Sequence, residues 1–208
     1  PDNCGECSSV CTWTCGESSC TDIIALSAGS DTNCAVLSNG HLLCWGQNAD
    51  DQCGLFESSD VTISRPQEVL NLENVIDLSN GDLHTCVIRS SSETDSGDVF
   101  CWGDNSRGQL GNGVITGSGP DPVAVSAPEG ETGDLTRVSH VAAGQSHICA
   151  VRDGDAFCWG ENRQGQLGLD TSENPFSNLP RGITFGEALN IVGVSAGDSH
   201  SCALTNSG

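Results

Sequence analysis

The chain has 208 residues, with 28 acidic side chains against seven arginines and no lysine, for a net charge of −21. So acidic a surface repels phosphate backbones and argues against nucleic-acid binding; its natural complements are divalent cations or basic patches on another protein. Thirteen cysteines place the chain in an oxidising setting, extracellular or at the cell surface, and no apolar run is long enough for a membrane span.

Residues 1–20 open as "PDNCGECSSV", which has no charged-then-apolar leader and reads as a mature or trimmed start. The segment carries Cys4, Cys7, Cys11, Cys15 and Cys20. Cys-x-x-Cys spacing suits zinc or redox chemistry, but oxidation is the expectation everywhere else in the chain, so disulfides are expected here too. Spacing does not give their connectivity. Too short and polar for a core of its own, the segment is expected to clip onto the rest of the protein.

From residue 21 onward the chain repeats itself. The first unit, residues 21–74, contains "IIALSAGSDTNC" with Gly29 and Cys34, then "CAVLSNGHLLC" from Cys34 to Cys44, then "CWGQNADDQCG" with Trp45 and Cys53. The second, residues 75–137, repeats this as "VIDLSNGDLHTC" with Gly81, His84 and Cys86, a loop over residues 90–97, and "CWGDNSRGQLG" with Cys101 and Trp102. The third, residues 138–190, has "VSHVAAGQSHIC" with Gly144, His147 and Cys149, then "CWGENRQGQLG" with Cys158 and Trp159. The fourth, residues 191–208, begins "IVGVSAGDSHSC" with Gly197, His200 and Cys202, and stops at the turn of its hairpin. Each unit reads as strand, Gly turn, strand, hairpin, strand and Gly-rich corner. A further short strand is expected near Pro66–Leu70, Pro122–Val125 and Pro180–Thr184.

The hairpins determine the cysteine chemistry. Asp153-Gly154 is a two-residue turn signal, because both central positions of a type I′ turn need positive φ. Counting outward from it sets Cys149 opposite Cys158 on a non-hydrogen-bonded rung, where Cα atoms approach to roughly 4.5 Å, within reach of a disulfide. The same count pairs Cys34 with Cys44 across Ser38-Asn39-Gly40, and Cys86 with Cys101 once residues 90–97 are set aside. Three pairs in register around three different loops predict three cross-strand disulfides. Cys53 stands where the later units have Leu110 and Leu167, and Cys202 has lost the strand that would face it; both are expected to bond partners that the spacing does not name.

Short strands, frequent turns and about 50 residues per unit predict an all-β chain of four-stranded propeller blades, three complete and a fourth partial. "VSAGDSHSCAL" and "VFCWGDNSRGQLGNG" closely resemble the repeat of the regulator of chromosome condensation family, which builds seven-bladed β-propellers. The resemblance covers residues 21–208. Cysteine on both hairpin strands departs from the intracellular pattern and is similar to a secreted bacterial variant.

The recurring side chains are read structurally. Trp45, Trp102 and Trp159 beside glycines suit blade-to-blade packing. His84, His147 and His200 are expected to be buried and bonded to nearby backbone; Thr32 in the same slot breaks any metal ring. Asn48, Asn105 and Asn162 with Gly54, Gly111 and Gly168 read as residues that tolerate left-handed backbone. Neither a catalytic set nor a cofactor or metal site emerges. The expected function is a non-enzymatic extracellular structural or protein-binding module, with head-to-tail self-assembly through completion of the open fourth blade as one form of it. The alternative is the non-catalytic propeller of a larger secreted enzyme, or a secreted protein inhibitor like the β-lactamase inhibitor that the resemblance includes.

Overall fold

The computed structural model describes residues 21–55, 61–90, 96–116, 119–185 and 189–207. Calls on Cys4, Cys7, Cys11, Cys15 and Cys20 fall outside them. Fourteen strands and no helix are found among the described residues. The first sheet is β1 (Ile23–Ala28), β2 (Thr32–Leu37), β3 (Leu42–Gln47) and β4 (Thr62–Glu68). The second is β5 (Val75–Asn80), β6 (His84–Arg89), β7 (Asp98–Gly103) and β8 (Gly119–Ala124). The third is β9 (Val138–Ala143), β10 (His147–Arg152), β11 (Asp155–Glu161) and β12 (Phe176–Gly182). The last holds only β13 (Ile191–Ala196) and β14 (Ser201–Thr205). Within each sheet the strands lie side by side in chain order, antiparallel throughout.

The first strand of each sheet packs against the first strand of the next, β1 on β5, β5 on β9 and β9 on β13. The sheets are therefore blades of a β-propeller. Its core lies in the seams between blades: Cys34, Val36 and Leu42 of the first meet Leu78, Val87 and Trp102 of the second. Leu110 and Val125 of the second meet Val141, Ile148 and Trp159 of the third.

The turns follow the local sequence. Asp153 and Gly154 have φ of 52° and 89°, as a type I′ turn demands. Their register brings Cys149 opposite Cys158, Cα atoms 4.2 Å apart, and the sulfurs are bonded. Cys34–Cys44 and Cys86–Cys101 are bonded likewise, at 4.2 and 4.1 Å. Tryptophan and the glycine after it bend the third strand: Gly46, Gly103 and Gly160 all have positive φ, and pairing with the fourth strand slips at each.

The fourth strands start earlier than the prolines suggest. Pro66, Pro122 and Pro180 lie inside them, tolerated because an outermost strand keeps one edge free of ladder bonds. Gly29, Gly81, Gly144 and Gly197 lie in the turns between first and second strands, and none has positive φ. They are small for a different reason. A Cβ on Gly29 would lie 2.1 Å from the Gly81 carbonyl, one on Gly81 2.7 Å from the Gly144 carbonyl, and one on Gly144 2.4 Å from the Gly197 carbonyl. These glycines are where neighbouring blades touch backbone to backbone.

Candidate functional site

One main-chain carbonyl organises each seam. Gln52 lies in the corner after β3, where Asn48 Oδ1 accepts the Cys53 N–H at 2.9 Å and Gly54 takes φ of 66°. The Gln52 carbonyl accepts two hydrogen bonds from the second blade, from Trp102 Nε1 at 3.0 Å and Thr85 Oγ1 at 2.8 Å. Gly54 admits the indole; a Cβ there would stand 2.8 Å from Nε1. The second corner repeats the arrangement. Asn105 Oδ1 accepts the Leu110 N–H, Gly111 has φ of 63°, and the Gln109 carbonyl accepts Trp159 Nε1 at 2.9 Å.

The third corner has the same fittings, with no indole among the described residues. Asn162 Oδ1 accepts the Leu167 N–H at 2.9 Å, and Gly168 has φ of 69°. The Gln166 carbonyl accepts the Ser201 hydroxyl at 2.8 Å, the counterpart of the Thr85 bond. Where Trp102 and Trp159 sit in the other seams there is a pocket of about 250 Å³. Gln166, Gly168, Ile183, Val194, Ser201 and Cys202 are among its lining residues. Beside it, β14 pairs with β13 on one edge, and no strand among the described residues pairs with the other. The seams, where the indole of one blade meets the corner carbonyl of the one before, are the candidate site.

Cys202 carries a free, exposed thiol at the pocket rim. Cys53, expected to have a disulfide partner, has a free thiol as well, fully buried in the first seam and donating to the Gln47 carbonyl at 3.3 Å. It packs as a small hydrophobe in the place of Leu110 and Leu167. Burial pushes its pKa up to about 12, so it is no nucleophile at neutral pH.

The tryptophans divide by seam. Trp102 and Trp159 are fully buried; Trp45 is half-buried, because no blade packs on its side among the described residues. Ile24 and Leu26 of β1 are exposed for the same reason. The histidines do not converge on a metal: no three His, Cys, Asp or Glu side chains among the described residues are placed to hold one. His147 Nε2 lies 2.9 Å from Ser201 Oγ, and since that hydroxyl donates to Gln166, the ring donates in turn. His84, expected to bond backbone, has no hydrogen-bond partner on either ring nitrogen. Burial depresses both residues to about 4, with the His147 ring adding to the shift at His84.

The asparagines also act differently from expectation, clamping each corner through Oδ1 rather than supplying left-handed backbone. The element that sequence reasoning missed is the glutamine carbonyl. Its signal was present: Gln52, Gln109 and Gln166 each sit two residues before the corner glycine.

The chain matches the family model described as "Regulator of chromosome condensation (RCC1) repeat" over residues 39–88, 96–151 and 153–204, well over half its length. Each match runs from a hairpin turn into the second strand of the following blade, so the repeat straddles a seam. The chain is similar to the human probable E3 ubiquitin-protein ligase HERC6, 33% identical over 88% of this chain and 17% of that protein. It is similar to the Arabidopsis thaliana ultraviolet-B receptor UVR8, 30% identical over 89% of this chain and 40% of the receptor. Among solved structures it resembles yeast RCC1 (Prp20) bound to Kap60, with a TM-score of 0.73 and 20% identity over 93% of this chain and 44% of that one. That likeness shows the fold alone. The chain spans less than half the length of each of these proteins.

Proposed function

The chain belongs to the regulator of chromosome condensation repeat family, and from that premise we propose that it is a non-catalytic, protein-binding propeller module working outside the cytoplasm. The seams carry this reading: indole-to-carbonyl bonds between blades and a disulfide within each complete blade fix the scaffold, and leave its connecting loops as the surface that meets a partner. Three cross-strand disulfides support an oxidising compartment. The yeast relative was crystallised bound to the protein Kap60, which supports protein binding as a use of this fold. Catalytic work in any longer polypeptide lies in another domain. Nucleotide exchange on a small GTPase is disfavoured by the disulfides and the acidic surface, whereas inhibitor-like capture of a protein suits both.

Self-assembly is a second reading: Cys202 has a free, exposed thiol, and residues 1–20 carry five further cysteines. A neighbouring copy's first residues would then complete the fourth blade and generate head-to-tail polymers. Disulfide mapping of the native protein, alkylated before unfolding, tests both readings. The three hairpin pairs are expected oxidised, and reduced pairs would remove the extracellular setting. A bond from Cys202 to Cys4, Cys7, Cys11, Cys15 or Cys20 of a second copy supports self-assembly, and an alkylated Cys202 in a monomer removes it.

A further inference from the structure

Repetition within the chain separates what the fold requires from what it does not. Corresponding positions that carry one residue type in every complete blade serve the architecture, whereas a type confined to one blade is available for something else. Counted from the corner glycine, the second corner continues with Val114 and Ile115, where the third has Thr171 and Ser172 and the first has Glu57 and Ser58. Across the seam, Phe176 pairs with Glu161, the place that Thr62 takes opposite Gln47 in the first blade. All three apolar side chains are exposed, Val114 by 45%, Ile115 by 50% and Phe176 by 40%.

This apolar surface is built on fixed backbone. The Val114 N–H donates to Asn112 Oδ1 at 3.3 Å, and its carbonyl accepts Asn105 Nδ2 at 3.1 Å. The Gly113 N–H donates to the Asn178 carbonyl at 2.9 Å, and Asn178 Nδ2 returns a bond to the Gly113 carbonyl at 2.7 Å. The loop is thus stapled onto β12 two residues from Phe176. A patch ordered in advance loses little conformational entropy when something lands on it.

Charge beside the patch also departs from the repeat. Arg107 stands where the first corner has Asp50 and the third has Gln164. It reaches across the seam to Glu161 at 3.4 Å, and Arg163 approaches the same carboxylate at 3.7 Å. Two guanidiniums therefore share one carboxylate. Among the described residues Arg107 otherwise meets the Ser106 carbonyl, at 3.5 Å, so donors remain on this pair for a second carboxylate. Asp104 of the same corner is held by Ser106 and Gln109 and acts on Asp50 in the first blade.

We infer that this platform over the second seam docks a short segment of a partner protein that carries a carboxylate beside a bulky apolar side chain. The carboxylate meets Arg107 and Arg163, and the apolar group lies on Phe176, Val114 and Ile115. The inference rests on the protein-binding reading above and names the face and the ligand chemistry. Range decides between occupants. A short segment senses charge within about 10 Å at ordinary ionic strength, which here is the arginine pair. A second copy or an anionic membrane faces the whole net charge of −21.

The test uses the 208-residue chain and a fluorescent peptide, Gly-Ser-Leu-Phe-Asp-Glu-Leu-Ser-Gly, read by anisotropy. Saturable binding is expected, at least about tenfold weaker for a peptide with lysine in place of both acids. Two double variants borrow residues from corresponding corner positions: Val114→Thr with Ile115→Ser, and Arg107→Gln with Arg163→Ser. Each should weaken binding at least about tenfold and leave the denaturant midpoint nearly unchanged, since neighbouring blades already fold with those residues. Hydrogen exchange in the complex should slow at residues 112–116 and 176–179. Binding that neither variant weakens overturns the platform and leaves protein binding to another face. No saturable binding of the peptide overturns the platform as well, while the disulfide mapping above judges the wider reading. Capture of phosphatidylserine–phosphatidylcholine vesicles in place of the peptide, or a dimer that both variants disperse, assigns the patch to a membrane or a second copy and overturns the inference.

Discussion

Trp159 and Gln109 stand 50 residues apart and meet across a seam, indole N–H to main-chain carbonyl at 2.9 Å. Trp102 and Gln52 do the same, but there Thr85 Oγ1 donates to the carbonyl as well. The third blade has Ile148 in the Thr85 position, which has no hydroxyl. Replacing Trp102 by Phe therefore leaves the Gln52 carbonyl one partner, whereas Trp159→Phe strips Gln109 of its indole donor in a buried seam. An unsatisfied buried acceptor costs about 1–3 kcal/mol. Denaturant titration should show Trp159→Phe to be more destabilising than Trp102→Phe, on top of a similar loss of packing. Equal effects would mean that the indoles act through volume alone.

The two free thiols should differ sharply in reactivity. Cys202 is exposed at the pocket rim, while Cys53 is fully buried with its pKa pushed up to about 12. Iodoacetamide applied to the native protein at neutral pH should modify Cys202 and spare Cys53 until denaturant is added. Cys53→Leu, the residue type found at Leu110 and Leu167, should be folded and lose nothing but the late-labelling thiol. Rapid native labelling of Cys53 would mean that the first seam opens readily.

Acid should loosen the seams before most carboxylates titrate. His84 and His147 are held neutral by burial, their pKa lowered from 6.5 to about 4. Asp82 and Asp104 lie close enough to His84 to oppose the shift, and His200 stands beside His147, yet burial dominates at both. A depressed histidine binds its proton more readily in the unfolded chain. Stability is thus complete above pH 6.5 and falls as pH drops from 6.5 towards 4, by at most about 1.4 kcal/mol per pH unit for each ring. Measured between pH 7 and 5, the unfolding free energy should decline, and His84→Gln should flatten the slope. A slope unchanged by that substitution would rule out His84 as its source.

Much of this architecture was legible because its signals are carried by residue identity. Asp153-Gly154 dictates a turn, the turn dictates register, and register puts Cys149 against Cys158; nothing distant intervenes. What escaped was carried by backbone atoms or by distance along the chain. The Gln52 and Gln109 carbonyls bind indoles, yet any residue has a carbonyl. The glutamine side chain does a separate local task, Gln109 Oε1 accepting the Arg107 N–H at 2.8 Å. Cys53 suggested a missing bond partner because a cysteine stands there in place of Leu110 and Leu167; its apolar surroundings, Val69, Leu78 and Val87 among them, come from elsewhere in the chain.

Gly144 offers the most direct test of how the blades are joined. Its φ is ordinary, so alanine meets no backbone penalty there, unlike Gly160 with φ of 96°. The obstacle is space. A Cβ on Gly144 would lie 2.2 Å from His147 Cε1 and 2.4 Å from the Gly197 carbonyl, and one of those atoms is main chain in the next blade. The ring can rotate only into a packed interior, and the carbonyl can retreat only if β13 moves away from β9. Overpacking of this kind costs about 1–3 kcal/mol, and more where backbone must shift. Gly144→Ala should therefore destabilise the protein by at least about 2 kcal/mol and speed amide exchange in β13 and β14 more than in β5. Gly119→Ala, with open space at its Cβ, should be nearly neutral. Comparable stability of the two variants would refute backbone contact between successive glycines as the feature that sets blade spacing.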